Sequence, residues 1–125
     1  MEIKRLTELL NEKKYAQIKE MLSEMNSIDL ADLLEQFPDD SMVVLFRLIS
    51  KETAAEVFAN MPNDMQQTLI STFTEKELKE IFEDMYMDDT VDILEEMPAN
   101  VVEQILNVTD KETRSRINGL LRRKR

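Results

Sequence analysis

The sequence predicts an all-α fold of short helices stacked in pairs, and three observations predict it. The first is composition: the 125 residues include one Gly, three Pro, no Cys and no Trp, helix formers abound, and strand formers are thin. The second is turn punctuation that returns every twelve residues. The third is that the apolar residues between punctuation marks fall at i, i+3, i+4 and i+7, on one face of a helix.

The elements follow in order. Ile3 to Leu10 and Tyr15 to Met25 read as a less regular N-terminal helix pair, closing one end over residues 1–26. The regular repeats occupy residues 27–121. Prolines at 38, 62 and 98 are spaced by multiples of twelve, and stepping by twelve from Asn26 gives Asn26, Pro38, Ser50, Pro62, Thr74, Tyr86, Pro98 and Asp110. All but Tyr86 are turn or cap types. Thr74 with Glu77 forms a capping-box pattern. One apolar column runs Leu33, Leu45, Val57, Leu69, Ile81, Ile93, Ile105, and the next Leu34, Phe46, Phe58, Ile70, Phe82, Leu94, Leu106. Phe37, Ile49, Met61, Phe73, Met85 and Met97 close the segments. Such a helix is only ~15 Å long and marginal alone, so its stability has to come from stacking. Two helices make a 24-residue unit, and successive units stack into a solenoid whose hand the periodicity leaves open. The nine Met read as core; a Met-lined groove would need them exposed.

One domain, residues 1–125, is the expectation from length, too short for a transporter or a two-domain enzyme. Charges interrupt every window that could otherwise span a bilayer. No apolar stretch follows the basic residues near the N-terminus, so a cytoplasmic setting is expected. Without Cys or His there is no ordinary zinc site, thiol nucleophile, Ser-His pair or imidazole switch. The single Gly119 leaves no phosphate-cradling loop. An enzyme is not expected, because no catalytic spacing stands out. What remains is carboxylates, which suit hard cations such as Mg2+.

Net charge is −10, and from Glu80 to Asp110 there are ten acids and no Lys or Arg, which accounts for the whole imbalance. Asp88, Asp92, Glu95 and Glu96 lie at i, i+4, i+7 and i+8 and make a carboxylate ridge. A solvated acidic face explains it, since like charges at i, i+4 cost only about 0.2–0.5 kcal/mol per pair; Asp88 and Asp89 also sit in a first helical turn, where the macrodipole favours acids. A surface for a divalent cation or a basic partner explains it equally. The loop spacing of an EF-hand is absent, and nucleic acid is excluded as a partner by charge. The basic tail at 122–125, Arg122-Arg123-Lys124-Arg125, either complements a helix dipole or leads toward a downstream domain or membrane surface.

Three pieces, Ala31-Asp32-Leu33-Leu34-Glu35-Gln36-Phe37-Pro38, Ala54-Ala55-Glu56-Val57 and Asp88-Asp89-Thr90-Val91-Asp92-Ile93-Leu94-Glu95-Glu96-Met97-Pro98, resemble the cytosolic N-terminal domain of MgtE-type magnesium transporters, and the likeness runs in unbroken order from about residue 3 to residue 121. The resemblance implies a right-handed superhelix that precedes a pair of CBS domains and a membrane pore in proteins expected to be homodimers. It implies a regulatory role, with Mg2+ bridging carboxylates of this domain and the CBS pair and favouring the closed pore. The ligands it implies here are Asp88, Asp92 and Glu56, with Asp89 beside them as a lesser candidate. The competing expectation is a helical-repeat scaffold whose acidic face meets a basic partner without metal.

Overall fold

In the computed structural model, which describes residues 2–124, ten α-helices and no strand are found among the described residues. They are α1 (Glu2–Asn11), α2 (Tyr15–Ser23), α3 (Ser27–Leu34), α4 (Asp39–Arg47), α5 (Lys51–Ala59), α6 (Asn63–Thr72), α7 (Glu75–Asp84), α8 (Met87–Glu95), α9 (Ala99–Val108) and α10 (Lys111–Lys124). The backbone of Arg122, Arg123 and Lys124 falls in the last turn of α10; their side chains, and all of Arg125, lie outside the described residues.

Every mark in the twelve-residue series immediately precedes a helix. The backbone explains why Pro alternates with cap residues there. From Asn26 to Pro98 the caps hold φ between −59° and −79° and ψ between 142° and 166°. Proline is locked near that φ and loses nothing by lacking an N–H ahead of a helix. Asn26 and Thr74 reach the same geometry by bonding the helix's orphan amides. Asn26 Oδ1 accepts from Asp29 N at 2.8 Å. At Thr74 both halves of the capping box form: Glu77 N donates to Thr74 Oγ1 at 3.2 Å, and Thr74 N donates to Glu77 Oε1 at 3.0 Å. Lys14, twelve residues before Asn26, also stands at a helix start, that of α2, but with φ −89° and ψ 65° and no side-chain cap bond, outside the geometry of the later caps.

The turn between α1 and α2 departs from ordinary turn chemistry. Lys14 N donates to the Leu9 carbonyl at 2.9 Å and Lys13 N to that of Leu10 at 3.1 Å, the paired bonds of a Schellman ending. That ending needs a left-handed residue, and Lys13 supplies it at φ 57°. The one glycine is placed elsewhere, at Gly119 inside α10, with open space where a Cβ would stand. A helical glycine costs backbone entropy without return at such a position. Gly119→Ala is therefore expected to stabilise the protein by about 0.5–1 kcal/mol, read as a raised denaturant midpoint.

The helices group into two compact units, Met1–Met61 and Pro62–Arg125. In the first, α1 packs on α2, and α3 packs on α4 and α5. In the second, α7 packs on α9 and α8 on α10. The α3–α5, α7–α9 and α8–α10 pairings each join a helix to the next but one, which is the 24-residue repeat in physical form. The core follows the predicted columns: Leu33, Leu45, Val57, Leu69, Ile81, Ile93 and Ile105 are all buried. That column continues one twelve-residue step beyond Ile105, to a fully buried Ile117. Leu106 is the exception in the second column, being only partly buried. The residues that close the segments, Phe37 to Met97, are buried throughout. Met42, Met61, Met65, Met85 and Met97 are core, whereas Met21, Met25 and Met87 are only partly buried, and Met25, Met85 and Met87 line concavities described below. Thr90 is buried too, its hydroxyl donating to the Tyr86 carbonyl one turn back at 3.3 Å.

Candidate functional site

Helix α8 carries the acidic ridge, and its two faces divide cleanly. Thr90, Val91, Ile93 and Leu94 are buried. Asp88, Asp92, Glu95 and Glu96 are exposed, while Asp89 is partly covered. Asp88 and Asp92, one turn apart, therefore lie on the same exposed side of the helix. Asp88 and Asp89 occupy the first turn of α8, where the free amides and the dipole favour negative charge. Glu56 is exposed on α5 and belongs to the first unit, whereas Asp88 and Asp92 belong to the second. Among the described residues, no three acidic side chains gather closely enough to hold a metal ion by themselves.

Two concavities accompany these surfaces. One in the first unit, about 360 Å3, is lined by Glu24, Asp29 and Asp32 over Met25 and Leu33. One in the second unit, about 350 Å3, is lined by residues of α7 and α10 and by Tyr86 at the start of α8. Beside it Asp110 caps α10, accepting from Thr113 N at 2.7 Å. Bonds from the Thr113 backbone and side chain hold the Asp110 carboxyl below its ordinary value of 3.8, and Lys79 and Arg114 add to this. The sign follows: a lowered folded value stabilises above the unfolded one and is lost as pH falls through the folded one. Asp110→Asn, which keeps a capping oxygen, is expected to flatten the loss of stability below about pH 4, checked by thermal unfolding across that range.

The residues of this second concavity were not singled out by sequence as a site. Arg116 on α10 is separated from Lys79 and Tyr86 by α8 and α9, and only the odd presence of Tyr86 in the cap column marked the place.

Residues 25–122 match the family model described as the MgtE intracellular N domain. The chain belongs to that family. The matched span takes in α3 to α9 and most of α10, and with them Glu56 and the whole acidic ridge. Among solved structures, the chain is similar to one described as the crystal structure of the cytosolic domain of the Mg2+ channel MgtE in complex with ATP. The TM-score is 0.80 at 29% identity over 94% of this chain, which spans about half (48%) of that one. No curated protein matches the chain. The likeness to the MgtE domain establishes the all-α fold, and no described helix is long and apolar enough to cross a membrane.

Proposed function

We propose that this MgtE N domain is a cytosolic regulatory module that senses Mg2+, with residues 1–125 acting together, rather than an enzyme. The observation that carries the reading is the exposed Asp88–Asp92 pair on α8, within a stretch that has no basic residue, in a chain of this family. Hard carboxylate oxygens held one turn apart suit Mg2+, which keeps several of its waters and takes one or two carboxylates. Asp88 and Asp92 would hold the ion, with Asp89 beside them, and Glu56 would serve a separate contact from the first unit. Two carboxylates bind weakly, with Kd of about 1 mM or worse. The missing ligands would come from an acidic partner surface, for which CBS domains, of the same polypeptide or of a partner chain, are the proposed source. Two acidic surfaces repel each other until a cation lies between them, so Mg2+ would select the compact, closed-pore state. Weak ions suffice for this, because the binding energies of several that prefer one state add.

The test is limited proteolysis of this domain joined to CBS domains, with and without millimolar Mg2+. Protection by Mg2+ is expected in the parent and is expected to fall in Asp88→Ala and Asp92→Ala, whose circular dichroism should be unchanged because both side chains are exposed. Equal protection of all three proteins would reduce the ridge to a solvated face. Protection by a basic partner without Mg2+ would favour the metal-free scaffold.

A further inference from the structure

One dipeptide stands outside every task the repeat assigns. A step of twelve along the second apolar column, from Leu94 to Leu106 and onward, leads to Asn118, a carboxamide where the column otherwise holds Leu, Phe or Ile. Asn118 is half-buried, and among the described residues no hydrogen bond holds its side chain. The residue after it is the chain's one glycine. Gly119 is exposed inside α10, at no turn, with open space where a Cβ would stand. Packing explains neither residue, but as a pair they carry chemistry. In Asn-Gly the glycine's main-chain nitrogen can attack the asparagine side-chain carbon, because no Cβ obstructs the approach. The bond from Gly119 N to Asn118 Cγ forms as the Cγ–Nδ2 bond breaks, ammonia leaves with the proton that the nitrogen gives up, and a succinimide ring remains. Water then opens the ring at either carbonyl, giving aspartate or isoaspartate.

We propose that Asn118-Gly119 is a self-modifying site, converted by water alone at a rate set by the opening of α10. A regular helix opposes the reaction, since it directs the Gly119 N–H at the Ser115 carbonyl one turn back and its ψ at Asn118 keeps the nitrogen off Cγ. The helix must therefore open first, and its hold there is weak. Among the described side chains of α10, Ile117 is the fully buried one, whereas Asn118, Leu120 and Leu121 are half-buried. The glycine lowers helix stability further, and such sparsely buried segments open locally. The other asparagines are guarded differently. Asn26, followed by Ser27, has its carboxamide held at both ends, Oδ1 accepting from Asp29 N at 2.8 Å and Nδ2 donating to Asp29 Oδ2 at 3.1 Å. The rest precede Glu, Met, Asp or Val, whose side chains obstruct the attack. Conversion to aspartate adds one negative charge at i+4 from Arg114 and i−4 from Arg122, which a helix tolerates well. Isoaspartate instead puts an extra methylene into the main chain, so the i→i−4 bonds past Asn118 lose register and the end of α10 is released. The reaction needs no metal and stands apart from Mg2+ sensing by the ridge.

The experiment incubates the whole chain in mildly alkaline buffer, with and without urea, and follows amide-to-acid exchange at each asparagine by peptide mass and chromatography. In urea Asn118 is expected to convert before every other asparagine. In buffer it should still convert first, but roughly ten- to a hundredfold more slowly than in urea, the factor measuring how seldom α10 opens. Gly119→Ala, which restores a Cβ and tightens the helix, should slow the reaction in buffer by a further factor of roughly ten. The isoaspartyl product, once isolated, should exchange the amides of residues 119–121 faster than the parent, whereas Asn118→Asp, with the charge but not the added methylene, should not. Equal rates in buffer and urea, or a Gly119→Ala rate equal to the parent's, would mean that α10 does not guard the bond and overturn the proposal. Earlier conversion at Asn26 or at any other asparagine, or no conversion at Asn118 in buffer, also overturns it. Unchanged amide exchange in the isoaspartyl product overturns the release of the helix end.

Discussion

Phe58→Ala is expected to destabilise the protein by about 3–5 kcal/mol, the largest effect of any single truncation considered. Phe58 is fully buried in α5, and its ring meets that of Phe46 edge to face with centroids 6.3 Å apart and an interplanar angle of 74°. Truncation removes the transfer free energy of the ring, leaves a cavity the short helices cannot close, and abolishes an aromatic pairing worth about 0.5–1.5 kcal/mol beyond its area. Urea unfolding followed by circular dichroism reads the change. An exposed substitution in the same unit, such as Glu35→Gln, should stay within about 0.5 kcal/mol. A Phe58→Ala midpoint as close to the parent as that control would mean that the apolar columns do not form the core.

The second large effect is expected at Arg114. Helix α9 ends at Val108, and its last carbonyls have no partner within the helix. Arg114, one turn into α10, turns back to them: Nε donates to the Leu106 carbonyl at 2.9 Å and Nη2 to the Thr109 carbonyl at 3.1 Å. The Thr109 hydroxyl adds a further bond to the Leu106 carbonyl at 2.9 Å. One planar guanidinium thus ties the end of α9 to the start of α10, with its positive charge beside the negative end of the α9 dipole. Arg114→Met keeps the apolar stem and deletes both bonds, and is expected to cost about 2–3 kcal/mol. Arg114→Lys should recover only part of this, since an ammonium cannot reproduce the fork. If Lys restores the parent's stability in full, charge near the dipole, not the paired bonds, is what matters.

The acidic ridge could be read in the sequence because its members share one helix. Asp88 and Asp92 are related by a spacing of four, and the helical period alone puts them on one side. The same period placed Leu33 and its successors inside, and the cap column placed every break from Asn26 to Asp110. The Lys13 ending escaped notice because a left-handed lysine has no composition signal, while the residue that normally signals it, Gly119, sits where no turn occurs. Arg114 escaped because its partners are backbone carbonyls, which have no letter in a sequence.

By itself, then, the sequence determined what repeats: helix length, helix starts, which columns face inward, and where the charge gathers. These are local properties, decided by backbone geometry and by side-chain spacing within about one turn. Tertiary structure alone decided which helices pair, that the inward column reaches Ile117 while Leu106 stays partly exposed, and that Lys79, Tyr86 and Arg116 line one hollow. Those outcomes depend on residues separated by several helices and brought together only when each short helix finds its stability against another, and spacing along the chain carries no record of that.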